Sequence, residues 1–148
     1  MDYYLQSLET MRYILESNTP NFCFEYWIRW LAKDIAEWTA HRNTRHHVNA
    51  YGGMGSFNDL PPIKGNDGYY EVVFNLLKSF SYEFAFLYGR DGILPEKLQE
   101  DCLREFLEKP QMISPSDYNA HLTNKEIVRQ TADYLRAGTL LQNVDSIC

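Results

Sequence analysis

Apolar residues recur along this chain at intervals of three and four, the period of a helix with one buried face. Tyr4, Leu8, Met11 and Leu15 share such a face between Asp2 and Ser17. Asn18-Thr19-Pro20 ends that run, and Pro20 suits the first position of a following helix. From about residue 20 to 40, Phe24, Trp27, Ile28, Leu31, Ile35 and Trp38 form an apolar stripe, with Glu25, Arg29, Lys33 and Glu37 on other faces. Arg42-Asn43-Thr44 reads as a break before a short helix over about 44–51. The longest pattern, about 68–88, carries Tyr69, Val73, Leu76, Leu77, Phe80, Phe84 and Leu87. Asn66 or Asp67 would cap it and Gly89 would end it, and its apolar content predicts a central position. A helix is expected over 95–108 with Pro110 closing it, and a short one with Ser114 as its cap. Thr123 and Glu126 form a capping-box pattern for a last helix that ends at Gly138. No segment sustains the two-residue alternation of a strand. The expectation is all-α: an irregular single-domain bundle of about six to seven helices over residues 1–148.

One segment interrupts the helical pattern. Gly52-Gly53-Met54-Gly55-Ser56-Phe57-Asn58-Asp59 is followed by Leu60-Pro61-Pro62. Three glycines in four positions point to backbone with positive φ or close approach, and two prolines oppose a helix. The segment is expected to be a structured glycine-rich loop built on Gly52, Gly53, Gly55, Asn58 and Asp59. Asn58 and Asp59 would bond its backbone as in an Ω-type turn. The competing reading is an anion cradle of backbone amides. It lacks the lysine of a phosphate-binding P-loop and the preceding strand of a dinucleotide loop.

Composition narrows the class. The chain has 148 residues, 45% of them hydrophobic, and a net charge of -6. That size suits one core with no need of a metal or disulfide staple. The acidic balance argues against nucleic acid as the partner. It is compatible with a basic protein partner and equally with ordinary solubility. The aromatic content is 15%, which serves cores and binding hot spots alike. Cys23, Cys102 and Cys148 are widely spaced and odd in number, as expected for free thiols in a reducing compartment. Met1-Asp2-Tyr3-Tyr4 lacks the basic and apolar regions of a signal peptide, and no run approaches a membrane span. The expectation is a cytoplasmic protein.

Candidate chemistry is sparse. His46 and His47 are adjacent and would point apart on a helix, and Glu37 with His41 supplies only two ligands, so no metal is expected. His121 stands alone. Cys23 lies within an apolar helix pattern, and Cys102 follows Asp101, which opposes a thiolate. No serine sits in a G-x-S-x-G elbow. No carboxylate pair stands out as acid and base. No catalytic residue and no cofactor are assigned. One charged pattern is more regular: Glu96, Glu100, Asp101, Glu105 and Glu108 line one side of the 95–108 helix. Such a side is a solvated face or a surface that steers a basic partner.

The Trp27-x-x-Trp30-Leu31 helix and the following Gly-Gly-Met-Gly-Ser-Phe-Asn-Asp loop carry a resemblance. Residues 27–60 are similar to a family of small bacterial proteins of unknown function. Its hallmark is a GGMGS-[aromatic or aliphatic]-N-D loop after a Trp-Leu helix. Pro61-Pro62 departs from the aliphatic continuation of that pattern, and residues 90–148 are a helical extension outside it. The resemblance implies an immunity-type, antitoxin-like protein that binds and neutralises a cognate toxin, itself expected to be basic. The five acids of the 95–108 helix are its expected contacts. Two alternatives stay open. One is a small ligand-binding protein or enzyme that uses the Gly52–Asp59 loop with His46 or His47 nearby. The other is a self-associating adaptor, a homodimer, joined through the apolar spacing of Leu140, Leu141, Val144 and Ile147.

Overall fold

The computed structural model describes residues 2–18, 21–51, 56–65, 68–110 and 123–138. They form six α-helices in one irregular bundle, with no strand among them. The elements are α1 (Tyr3–Glu16), α2 (Phe22–His41), α3 (Arg45–Val48), α4 (Tyr69–Asp91), α5 (Pro95–Glu108) and α6 (Asn124–Ala137), with a 3₁₀ turn at Phe57–Asp59 before α4. The all-α expectation therefore holds. The short helix expected from Ser114, the apolar tail at Leu140–Ile147, His121 and Cys148 lie outside the described residues. No described helix is long and apolar enough to cross a membrane.

The stripes fold as their spacing predicts. Tyr4, Leu8, Met11 and Leu15 of α1 are fully buried, as are Leu31 and Trp38 of α2. α4 occupies the centre and packs against α1, α3, α5 and α6. Asp2 caps α1 through Oδ1, which accepts from the Leu5 amide at 3.0 Å. Its Oδ2 accepts from Trp38 Nε1 at 2.8 Å and from Arg42 at 3.0 Å. One carboxylate thus starts α1 and holds the end of α2 against it. The α6 capping box forms as expected, with Thr123 and Glu126 satisfying each other's amides.

Three boundaries differ from the sequence reading. α2 begins after Asn21, whose side chain accepts from the Cys23 and Phe24 amides; Pro20 lies outside the described residues. α3 is a single turn, because Ala50 and Tyr51 bond back to the carbonyls three residues earlier and tighten the chain out of the helix. α4 runs through Gly89 to Asp91, and Gly92, at φ 63°, takes the left-handed cap instead. A glycine inside a helix costs about 1 kcal/mol against alanine. Tyr88 offsets this by packing edge-on to Trp38 and stacking on Phe84.

The bend between α2 and α3 shapes everything that follows. Arg42 adopts φ 49°, rare for a residue with a side chain. Its guanidinium lies over the Trp38 ring at 4.6 Å and bonds Asp2, contacts that support the strained turn. Thr44 then donates to the Ala85 carbonyl at 2.8 Å and docks the start of α3 on α4.

Candidate functional site

α2 carries one anomaly. Asp34 follows Leu31 by three residues and precedes Trp38 by four, so helical spacing puts a carboxylate on the apolar face. It is 1% exposed. An isolated ionised carboxylate there would be very costly, so it needs partners. Both come from α3. His46 Nδ1 meets Asp34 Oδ1, and His47 Nδ1 meets Oδ2 at 2.8 Å. The expectation that adjacent histidines point apart is corrected: in a one-turn helix at a tight bend, both rings reach one carboxylate. His46 is held from the other side by stacking on Trp30, with ring centroids 4.1 Å apart.

The network continues into α4. In the tautomer whose Nδ1–H donates to Asp34, His47 turns its Nε2 lone pair toward α4. Ser81 Oγ lies 3.0 Å from that nitrogen and the Tyr51 hydroxyl 3.2 Å from it. Both hydroxyls also reach the Lys78 carbonyl, at 3.2 Å and 3.3 Å. Two donors therefore share two acceptors in a closed, satisfied set. Burial pushes the Tyr51 phenol far up, so it stays a neutral hydroxyl. The order Asp34–His47–Ser81 has the sequence of roles of a nucleophilic triad. Ser81 is fully buried, however, and its hydroxyl is enclosed between His47 and the Lys78 carbonyl of its own helix. The arrangement orients α3 on α4 and closes Ser81 off from an external substrate.

Tyr51 links this interior to the surface. Beside it lies an open groove of about 760 Å³ between α3, the 3₁₀ turn and α4, lined also by Asn49, Asn58, Asn75, Lys78 and Ser79. Lys78 is half-buried, and its ammonium stands 5.8 Å from the centre of the Phe57 ring. Burial lowers its pKa, with the Asp59 charge opposing. No ion pair holds it among the described residues. No group of three or more metal-ligating side chains is placed to hold a metal among those residues.

The remaining sequence candidates fall as follows. Gly52, Gly53 and Gly55 lie outside the described residues. The turn after them is made by Ser56, whose hydroxyl accepts from the Asn58 amide at 3.3 Å and whose carbonyl accepts from Asp59 at 3.0 Å. Asn58 does not close that turn but lines the groove. Phe57 is the anchor, fully buried against Trp27, Tyr51 and Phe74. On α5, Glu96, Glu100, Asp101, Glu105 and Glu108 face away from the buried Leu98, Cys102 and Phe106. They are not brought to the groove. Glu100 accepts from the Tyr3 hydroxyl at 2.7 Å, and Asp101 pairs with Arg104 at 2.8 Å. Glu105 acts on Glu83 of α4, whose carboxyl is raised by burial and then by that neighbour. Lys97 and Arg104 stand among the acids, so the face is mixed. Cys102 is buried and its thiol is pushed up to about 12, by burial and then by Glu83, Glu105 and Asp101.

Comparison with known proteins places a boundary on this site. Searches of curated proteins and of solved structures return no match. The matched segment of the chain encloses residues 27–60 and contains Trp30, Asp34, His46, His47, Tyr51, Phe57 and Asn58, while Lys78 and Ser81 come from beyond it. That segment, residues 21–71, about a third of the chain, is similar to a family described as a domain of unknown function, DUF6966.

Proposed function

We propose that this chain is a binding protein whose site is the α3–α4 groove and whose ligand presents an anionic group to Lys78. The observation that carries this reading is the Lys78 ammonium, half-buried over Phe57 in a groove lined by three asparagines and a serine, and held by no ion pair among the described residues. A half-desolvated cation beside neutral donors favours a carboxylate or phosphate. Tyr51 forms one wall, and the Asp34–His47 network fixes it there. This departs from the ligand-binding alternative of the sequence reading, which used the Gly52–Asp59 loop with Asn58 and Asp59 as its polar groups: the polar groups here are Asn58 and Lys78, with the histidines as support.

The test is thermal shift against a panel of small carboxylates, phosphates and nucleotides. A ligand at about 100 times its Kd adds about 2.7 kcal/mol, or roughly 5–10 °C in Tm at this size. The expected result is a shift for at least one anion that Lys78→Met removes. No shift across the panel would reject the reading.

A second reading is the immunity-type protein that blocks a basic toxin. The exposed acids Glu96, Glu105 and Glu108 of α5 favour it, together with Leu94, 73% exposed at the start of that helix. Charge reversal at Glu96 and Glu108, which avoids the acids tied to Tyr3 and Arg104, is expected to abolish capture of a basic partner. Undiminished capture by that variant would discard the acidic face as the contact.

A further inference from the structure

The groove does not stop at Tyr51. A second cavity, about 610 Å³, opens on the other side of Val48, and Val48 lines both. Its walls include Arg45, Phe86 and Arg90. Along α4, Lys78, Tyr82, Phe86 and Arg90 recur every four residues, on one face. That face lies open beside α3. Phe86 is 43% exposed and stacks on Tyr82, with ring centroids 6.1 Å apart. Arg90 lies over Phe86 at 5.5 Å.

The charges on this track are at its ends. Lys78 stands at one, and Arg45 with Arg90 at the other, about 18 Å further along at the helical rise of 1.5 Å per residue. Arg90 is paired with its exposed neighbour Asp91. Arg45 is exposed and holds no ion pair among the described residues. Between the ends the surface is aromatic and uncharged. A nucleic acid carries a charge at every residue and suits a continuous basic track. This track suits an occupant with acids at two ends and apolar groups between. About 18 Å is the length of five or six residues of extended chain.

We infer that the α3–α4 groove takes an extended peptide segment of a partner protein, with an acidic residue near each end. Its two acids engage Lys78 and the Arg45–Arg90 pair, and its central side chains lie on Tyr82 and Phe86. This rests on the reading of the groove as a binding site and names the partner's chemistry.

The test uses the full chain and fluorescein-labelled hexapeptide pools with glutamate at both ends, lysine at both ends, or neither. A labelled single-stranded oligonucleotide and inorganic phosphate run alongside. The expected result is binding of the doubly acidic pool, and of neither the other two pools nor the oligonucleotide. Arg45→Glu and Arg90→Glu, both at exposed positions, should each weaken it at least about tenfold, and Glu96→Lys should leave it unchanged. Phosphate binding with no peptide binding would overturn the peptide proposal and leave the groove reading standing. Preference for the oligonucleotide or the lysine pool would also overturn it. Silence from every probe would overturn both.

Discussion

Asp34→Ala is expected to be among the most destabilising single substitutions in this chain, by about 3–5 kcal/mol, the cost of leaving two imidazole N–H groups without an acceptor. Among the described residues, this carboxylate is the group that joins α2 to both histidines of α3. Its removal leaves two imidazoles without their acceptor, one of them fully buried, and a polar hole beneath Trp30. At this chain length the loss corresponds to roughly 6–20 °C in Tm. Asp34→Asn is expected to cost less. Its oxygen still accepts from one histidine, but its amide donates to the other and forces that ring to the opposite tautomer. Denaturant unfolding measures both. A loss below about 1 kcal/mol for the alanine variant, the size of an ordinary hydrogen bond, would show that the network is not under strain from burial.

Phe57→Ala should match it, at about 3–5 kcal/mol, through a different mechanism. The Phe57 ring is fully buried, tilted on Trp27 at 4.9 Å and edge-on to Phe74 and Tyr51. It pins the 3₁₀ turn to α2 and α4, and its amide bonds the Ala50 carbonyl at 2.8 Å. The cavity would open directly below Lys78. Phe57→Leu is expected to recover most of the stability, since it restores volume without the aromatic face. Hydrogen exchange separates this variant from Asp34→Ala. Phe57→Ala should raise exchange first at residues 56–60, and Asp34→Ala first in α3. Identical exchange patterns would mean that the two sites unfold as one unit.

These two residues also mark where sequence reading reached and where it stopped. The helical stripes were legible because burial on one face leaves a period that local spacing records, as in Leu8, Met11 and Leu15. The Thr123–Glu126 cap was legible because both partners lie within one turn. Phe57 could be seen in its loop, but not its role as anchor, since Trp27 and Phe74 come from two separate helices. Asp34 was visible only as a charge within an apolar stripe, and that oddity was the signal to follow. Its partners could not be read, because His46 and His47 converge only when α3 is cut to one turn and the chain reverses at Arg42. Lys78 lies 27 positions beyond Tyr51 on a separate helix, with Ser81 one turn further on, and no local pattern links them to Tyr51. The acidic side of α5 was legible as a period. Its tie to Tyr3, and the dilution by Lys97 and Arg104, depended on which neighbours the fold supplied.

The most direct test of the account is a nitrogen–proton correlation titration of the full chain with inorganic phosphate and a short dicarboxylate. The account predicts saturable shifts centred on Asn49, Tyr51, Asn58 and the Asn75–Tyr82 stretch of α4, lost in Lys78→Met. Shifts centred on α5, or none that saturate, would contradict it.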